Sequence, residues 1–195
     1  MNLVDLVFGR FRRRAWRESV MLADGRVVML SPLTPAAKPL IAKGIERVSP
    51  ESSRRRFFTV RRRFSERELD EMTTLDGWNR YAIGATGASA EGPVGAAIAR
   101  FARVAEDPAS AEVAMLVVDD FQHVGLGRVL LARIAEAASL RGIERLTALV
   151  LRDNDTMLGL LRRYAPDLAI ADAGEHYRVE VPLPRAPFWA ALAAA

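Results

Sequence analysis

The chain contains no cysteine, and only two histidines and two lysines, Lys38 and Lys43, stand among its 195 residues. Without thiols there is no disulfide scaffold, no thiolate zinc site and no cysteine nucleophile, and two histidines are too few for a histidine-rich centre. No metal site is therefore expected, and the composition suits a reducing, cytoplasmic setting. Long apolar runs are also missing. None approaches the roughly 20 residues that span a bilayer, so no transmembrane segment is expected. Charge of one sign does not dominate either, with 28 basic against 24 acidic residues and a net charge of +4. That mixed surface gives no reason to expect nucleic acid as a partner.

What remains is apolar material for one good core, since 50% of the residues are hydrophobic and the length suits a single domain with short appendages. The expected division is an N-terminal extension over 1–22, a domain over 23–183 and a C-terminal tail over 184–195. In the extension, Leu3, Leu6, Val7, Phe8 and Phe11 have the spacing of an apolar helical stripe, with Arg10, Arg12, Arg13, Arg14 and Arg17 nearby. Such a helix packs on the domain or a partner, or lies on a membrane surface. Its basic cluster follows the apolar part, the reverse of a secretory signal.

The stretch from Val113 to Leu131 organises the rest. An apolar run, Val113 to Val118, has strand character; the turn Asp119-Asp120 follows, then Gly125 and Gly127, then an apolar helix pattern. A strand, a glycine turn and a helix start aim unpaired N–H groups at one point, which suits a phosphate. The P-loop reading fails for want of its Lys-Ser/Thr pair, and the dinucleotide fingerprint fails because Leu130 stands where its third glycine belongs.

Elsewhere, Ala23-Asp24-Gly25-Arg26 marks a tight turn before a strand over Val27 to Leu33. Thr34 and Pro35 open a helix that ends near Val48, Ser49-Pro50 opens a second, and Ser65 with Glu68 forms a capping box for a third. Phe57, Phe58, Phe64, Leu69 and Met72 are the expected buried face of the short helices. Arg54, Arg55, Arg56, Arg61, Arg62 and Arg63 read as a solvated face paired to nearby acids, or as a surface for an acidic partner. Strands follow at Trp78 to Ala85 and Val94 to Val104. The helix after the glycines runs to Arg141, with Leu126, Leu130, Ile134 and Ala137 on one face and Gly142 as its stop. Leu146 to Leu151 is a buried strand, parallel to Val113–Val118 because a crossover helix joins them. Asp153 to Thr156 caps a helix through Arg163, and strands at Ala169–Ala171 and His176–Leu183 close the chain.

Gln122-x-x-Gly125-x-Gly127 after an apolar strand resembles the acetyl-CoA signature, Q/R-x-x-G-x-G/A, of the GCN5-related N-acetyltransferases (GNAT). The run AEVAMLVVDDFQHVGLG is similar to the acetyltransferase domain of the bacterial Pat-type protein lysine acetyltransferases. The likeness extends to SPESSRRRFF and NDTML and covers roughly Val27 to Leu183. It implies an α/β (α+β) fold: a mixed, mostly antiparallel sheet of about six to seven strands, flanked by helices, with a β-α-β acetyl-CoA unit. It also implies acetyl-CoA as acyl-donor substrate and a primary amine, favoured as a protein lysine, as acceptor. Oligomeric state is left open.

The donor would be held by the turn residues Gln122, His123, Val124, Gly125, Leu126, Gly127 and Arg128. The backbones of Leu116, Val117 and Val118 would pair with the pantetheine arm like another strand and polarise the thioester. In the family a glutamate ten positions before the motif glutamine is the base, and Glu112 has that spacing from Gln122. A carboxylate that takes the proton of an alkylammonium frees the attacking lone pair; otherwise Glu112 is a surface residue at a strand start. Asp119 and Asp120, beside the phosphate grip, are poorer bases. Asn154 would hold the pantetheine or a water while capping a helix, and Met157 is read as core.

Several positions depart from the family pattern. QHVGLG replaces the common QGRGLG, so Val124 removes an arginine from the diphosphate and weaker CoA binding is expected. RRYAPDL replaces RRLGF, and Leu161 occupies the place where many relatives carry a tyrosine acid. The fused sensing or synthetase-like domain of many Pat-type proteins is not expected within these 195 residues. A small-molecule amine as acceptor, or a non-catalytic CoA-sensing or partner-binding module, are the alternatives.

Overall fold

In the computed structural model, residues 16–184 are described; the stripe from Leu3 to Phe11 lies outside them, as does nearly all of the expected tail. The strands are β1 (Glu18–Met21), β2 (Val27–Pro32), β3 (Arg80–Ser89), β4 (Gly92–Arg103), β5 (Ser110–Val117), β6 (Arg145–Leu151), β7 (Ala169–Ala173) and β8 (His176–Pro182). They form one sheet in the order β1-β2-β3-β4-β5-β6-β8-β7, and among these pairs only β5 and β6 are parallel. Eight strands are one more than the upper expected count, because β1, inside the expected extension, pairs with β2 from Glu18↔Leu30 to Met21↔Val27. The hairpin turn that makes this possible has Gly25 at φ 84 and Asp24 Oδ1 accepting from the Arg26 N–H at 3.1 Å. An edge strand with alternating half-buried and exposed residues leaves only a weak hydrophobic signal.

The helices are α1 (Lys38–Glu46, after a 3-10 turn Pro35–Ala37), α2 (Pro50–Phe57), α3 (Glu66–Thr73), α4 (Leu126–Ser139) and α5 (Asp155–Tyr164). Ser49 caps α2 by accepting from the Ser52 N–H at 3.1 Å. Ser65 and Glu68 close the expected capping box on α3. Thr34, expected as a cap, makes no side-chain capping bond; the chain enters α1 through the 3-10 turn instead. α4 crosses from β5 to β6 with Leu126, Leu130, Ile134 and Ala137 wholly buried, each larger side chain contributing roughly 1.5–3 kcal/mol by leaving water. Its end is closed by Gly142 at φ 76 and by the Ile143 N–H donating back to Ala138 O at 3.2 Å.

α1, α2 and α3 cover one face of the sheet, and Gly95 lets α1 approach: a Cβ there would stand 2.8 Å from Leu40 O. Of the apolar residues expected to bury the short helices, Leu69 is fully buried and Phe57 meets Phe64 edge-on at 5.6 Å. Phe58 is the exception, at 45% exposed. It ends α2 in the left-handed region at φ 60, which turns its ring out of the core and onto His176 at 4.4 Å. Among the described residues no helix is long and apolar enough to cross a membrane.

Candidate active site

The parallel ladder between β5 and β6 lasts only from Ser110↔Arg145 to Glu112↔Thr147. Beyond Glu112 the two strands part, and the edge of β5 runs on without a strand partner on that side. Its hydrogen-bond parity is fixed on the β4 side: Val104 N–H donates to Ser110 O and Val118 N–H to Ala96 O. Even-numbered residues of β5 therefore bond to β4, and Val113, Met115 and Val117 aim their N–H and C=O groups at the open edge. Of the three residues expected to line a pantetheine arm, Val117 alone has this backbone orientation. Leu116 and Val118 turn theirs to β4, and Met115, not singled out from the sequence, takes the next open position.

Val117 O is already met by the Gln122 side chain, whose amide nitrogen donates to it at 3.0 Å and lies 3.0 Å from Ser52 Oγ. The motif glutamine thus locks the glycine turn to the end of β5 and to α2. Asp119 strengthens that lock by accepting from the Ser49 N–H at 2.9 Å and from Ser52 Oγ at 3.0 Å. Burial pushes the Asp119 carboxyl up, but the bonds from Ser49 and Ser52 together hold it below the usual carboxylate range. Asp120 pairs with Arg47 at 2.5 Å. Both aspartates are spent on holding the turn, in keeping with the reading that they are poor bases.

In the turn itself His123 has φ 59 and Gly125 φ 90. The first helical bond of α4 is Val129 N–H to Gly125 O at 3.3 Å, so the N–H groups of Leu126, Gly127 and Arg128 belong to the unpaired first turn. Together with the partial positive charge of the helix start, they have the chemistry that suits an anion. His123 and Arg128 are exposed beside it, Val124 is half-buried, and the Val124 carbonyl accepts from the Ala23 N–H at 3.1 Å. Leu126, by contrast, is wholly buried, so its side chain belongs to the core while its N–H stays in the unpaired first turn. A Cβ on Gly127 would stand 3.6 Å from Leu160, 3.8 Å from Met115 and 4.0 Å from Val117. Those four residues, with Gln122, Asn154 and Met157, line a cavity of about 140 Å³.

A second cavity of about 210 Å³ continues from it along the split and holds Glu112, Thr147 and Asn154. Asn154 is 8% exposed and caps α5, its Oδ1 accepting from the Met157 N–H at 3.1 Å. It sits on the wall shared by both cavities, as does Met157, expected as core. Glu112 is exposed, and its carboxylate makes no hydrogen bond or ion pair among the described residues. Leu161 is buried in the core at 2% exposure and presents nothing to the cleft. Among the described residues no group of three His, Cys, Asp or Glu side chains is placed to hold a metal ion.

The arginine run of α2 divides by function in a way its spacing did not reveal. Arg54 pairs with Asp153 and Arg55 with Glu51, each at 2.5 Å. Arg61 pairs with Glu68. Arg56 sets its guanidinium 4.9 Å from the centre of the Phe57 ring and, like Arg55, lines both cavities.

The acetyltransferase (GNAT) family profile matches residues 50–165. Acetyltransferase Pat of Mycolicibacterium smegmatis is 32% identical over 146 residues, which are 74% of this chain but only 42% of that protein. Acetyltransferase PA5475 of Pseudomonas aeruginosa is 28% identical over 159 residues, 78% of this chain and 83% of the relative. Among solved structures, the GNAT domain of S. lividans PAT superposes with a TM-score of 0.76 at 30% identity, over 86% of this chain and 97% of that one. The matched stretch contains Glu112, the glycine turn and Asn154, and spans more than half of the chain. The chain therefore belongs to the acetyltransferase (GNAT) family and is similar to Pat-type acetyltransferases, although it spans less than half the length of the Mycolicibacterium relative.

Proposed function

We propose that the protein transfers an acetyl group from acetyl-CoA to a primary amine, a protein lysine being favoured by its likeness to Pat-type proteins, with Glu112 as the base. The observation that carries this reading is the position of Glu112: the last residue of the β5–β6 ladder, with a free carboxylate where the cleft opens. The reaction needs an amine stripped of its proton beside a polarised thioester. Glu112 accepts that proton, directly or through water, which releases the lone pair for attack. The N–H groups on the open edge of β5, from Met115 and Val117, are the donors available to the thioester oxygen. The cradle at Leu126–Arg128 takes the diphosphate, and Gln122 and Asp119 keep that cradle in register with β5.

With Leu161 in the core, no side chain from that position protonates the departing sulfur. A thiolate with an ordinary pKa near ~8.5 leaves without such help. Donor grip, open edge and base would follow one another along one split, in the order from phosphate to reacting carbonyl. A cytoplasmic setting is part of this proposal, resting on the cysteine-free composition.

The test is free-thiol release from acetyl-CoA with lysine peptides, proteins and small amines as acceptors, comparing wild type with Glu112→Gln. Acceptor-dependent release should fall by roughly 10²–10⁴ in the variant with acetyl-CoA affinity retained. Full activity in Glu112→Gln would remove Glu112 as base. Acetyl-CoA binding without acceptor-dependent release from wild type would remove the enzymatic reading in favour of a CoA-sensing module.

A further inference from the structure

Two arginines share a sheet face with Glu112 and a third shares its cavity. Across β3, β4 and β5, Arg80 pairs with Ala102 and Ala102 with Glu112; one step along the same face, Ala82 pairs with Arg100 and Arg100 with Ala114. Directly paired residues share a face, and so do residues two apart on one strand. Arg80, Arg100 and Glu112 therefore rise from one face, with alanines between them that leave floor space. Arg56 comes down onto this face from α2. Arg56, Arg80 and Arg100, with Phe57, Phe58 and Met72, line an open groove of about 590 Å³. Arg56 also lines the cavity that holds Glu112.

The charges in this groove do not balance. Its acids are already paired: Glu68 with Arg61, also in the groove, and with the Ser65 cap, and Glu71 with Arg67 at 2.9 Å. Arg56 and Arg100 are half-buried and make no ion pair with any described residue. Burial, and then the charge of Arg100, pushes the Arg56 guanidinium down to about 10, and burial, and then Arg80, lowers that of Arg100. Partly desolvated like charges are costly unless an anion joins them. The phosphates of the donor do not fill this role, because their cradle lies at the far end of β5, beyond Val117.

We propose that the acceptor carries a carboxylate close to its reacting amine, and that Arg56 and Arg100 bind that carboxylate so that the amine is presented to Glu112. This rests on the amine-acetylation reading above. It narrows the acceptor to two sources of one chemistry: a lysine with an acidic neighbour in a protein, or a free amino acid. Two guanidinium forks matched to a carboxylate give direction as well as charge.

The experiment compares paired acceptors: a lysine peptide with glutamate beside the lysine against the same peptide with glutamine, and an amino acid against its carboxamide. Wild type, Arg100→Gln and Arg100→Lys are compared, with acetyl-CoA titration confirming that each variant is folded. Wild type should prefer the acid member of one pair by about tenfold or more in kcat/KM, the scale of a charge-assisted contact. Arg100→Gln should abolish the preference and Arg100→Lys keep part of it, and the pair that responds identifies the source. Equal use of acid and amide by wild type, with acetylation intact, overturns the carboxylate proposal and leaves the acetyltransferase reading standing. If no acceptor turns over, calorimetry with the same four compounds in the presence of CoA decides. Binding of an acid member that is lost in Arg100→Gln upholds the anion site while the enzymatic reading falls, and no binding overturns both.

Discussion

Gly125 and Gly127 stand two residues apart in one signature, yet the structure gives them different work. At Gly125 the requirement is conformational: φ is 90 and open space surrounds the position, so a side chain meets backbone strain and no clash. At Gly127 it is spatial: an added methyl makes only ordinary contacts with Leu160, Met115 and Val117, but it occupies the groove those residues line. Gly127→Ala should therefore leave the urea midpoint almost unchanged and weaken acetyl-CoA binding by about tenfold or more, since a close backbone approach is lost. Gly125→Ala should lower stability itself, by about 1 kcal/mol. Urea titration and acetyl-CoA titration of both variants separate the two roles, and equal loss of stability in both would refute the distinction. His123 shows the same logic in reverse. It holds φ 59 with a side chain at a position where the related pattern QGRGLG has glycine, so the departure carries backbone strain in addition to a changed surface.

Among the elements, α1 and β4 depend on each other most directly, through the bare backbone at Gly95. A methyl there would come within 2.8 Å of the Leu40 carbonyl oxygen, and a helix backbone yields less readily than a side chain. Gly95→Ala should destabilise the fold by about 1–3 kcal/mol, the usual cost of overpacking, read as a lowered midpoint in urea; an unchanged midpoint would mean that α1 moves freely. The sequence announced the elements by their punctuation: Ser49 and Ser65 as caps, Gly142 as a stop, and the buried periodicity of Leu126, Leu130 and Ile134. It suggested the candidate site where spacing is local, as between Glu112, Gln122 and the two glycines. It hid what depends on register. Nothing local tells that Met115 rather than Leu116 faces the open edge, because that parity is set by Val118 meeting Ala96 across the sheet. Arg56 was equally hidden among five similar arginines, since its position is decided by the groove over β4. Glycine at 95 was silent for the same reason, its neighbour being 55 residues away at Leu40.

At the scale of the whole molecule, several carboxylates tie distant segments together and are held more acidic for doing so. Glu68 is pushed down to about 2, first by the Ser65 N–H and then by the Arg61 side chain. Asp107 is lowered by Ser110 and Arg145, Asp153 chiefly by Arg54, and Asp119 as described. Because these groups bind protons less readily folded than unfolded, their contribution is complete above the ordinary carboxylate pKa and is lost as pH falls through the folded values. The urea midpoint should accordingly decline as pH drops from about 4.5 towards about 2, and a midpoint that stays level down to pH ~3 would contradict these ties. One further tie has a different kind of consequence. The Ala23 N–H donates to Val124 O, and Arg26 lies 4.4 Å from the centre of the Phe121 ring while donating to Asp120 O at 2.6 Å. The hairpin of β1 and β2 precedes the family-profile match, which starts at residue 50, and yet it braces the loop proposed to take the donor's phosphates. The profile match is thus shorter than the portion that works as one mechanical piece, and a cut made at its border would pass through that piece.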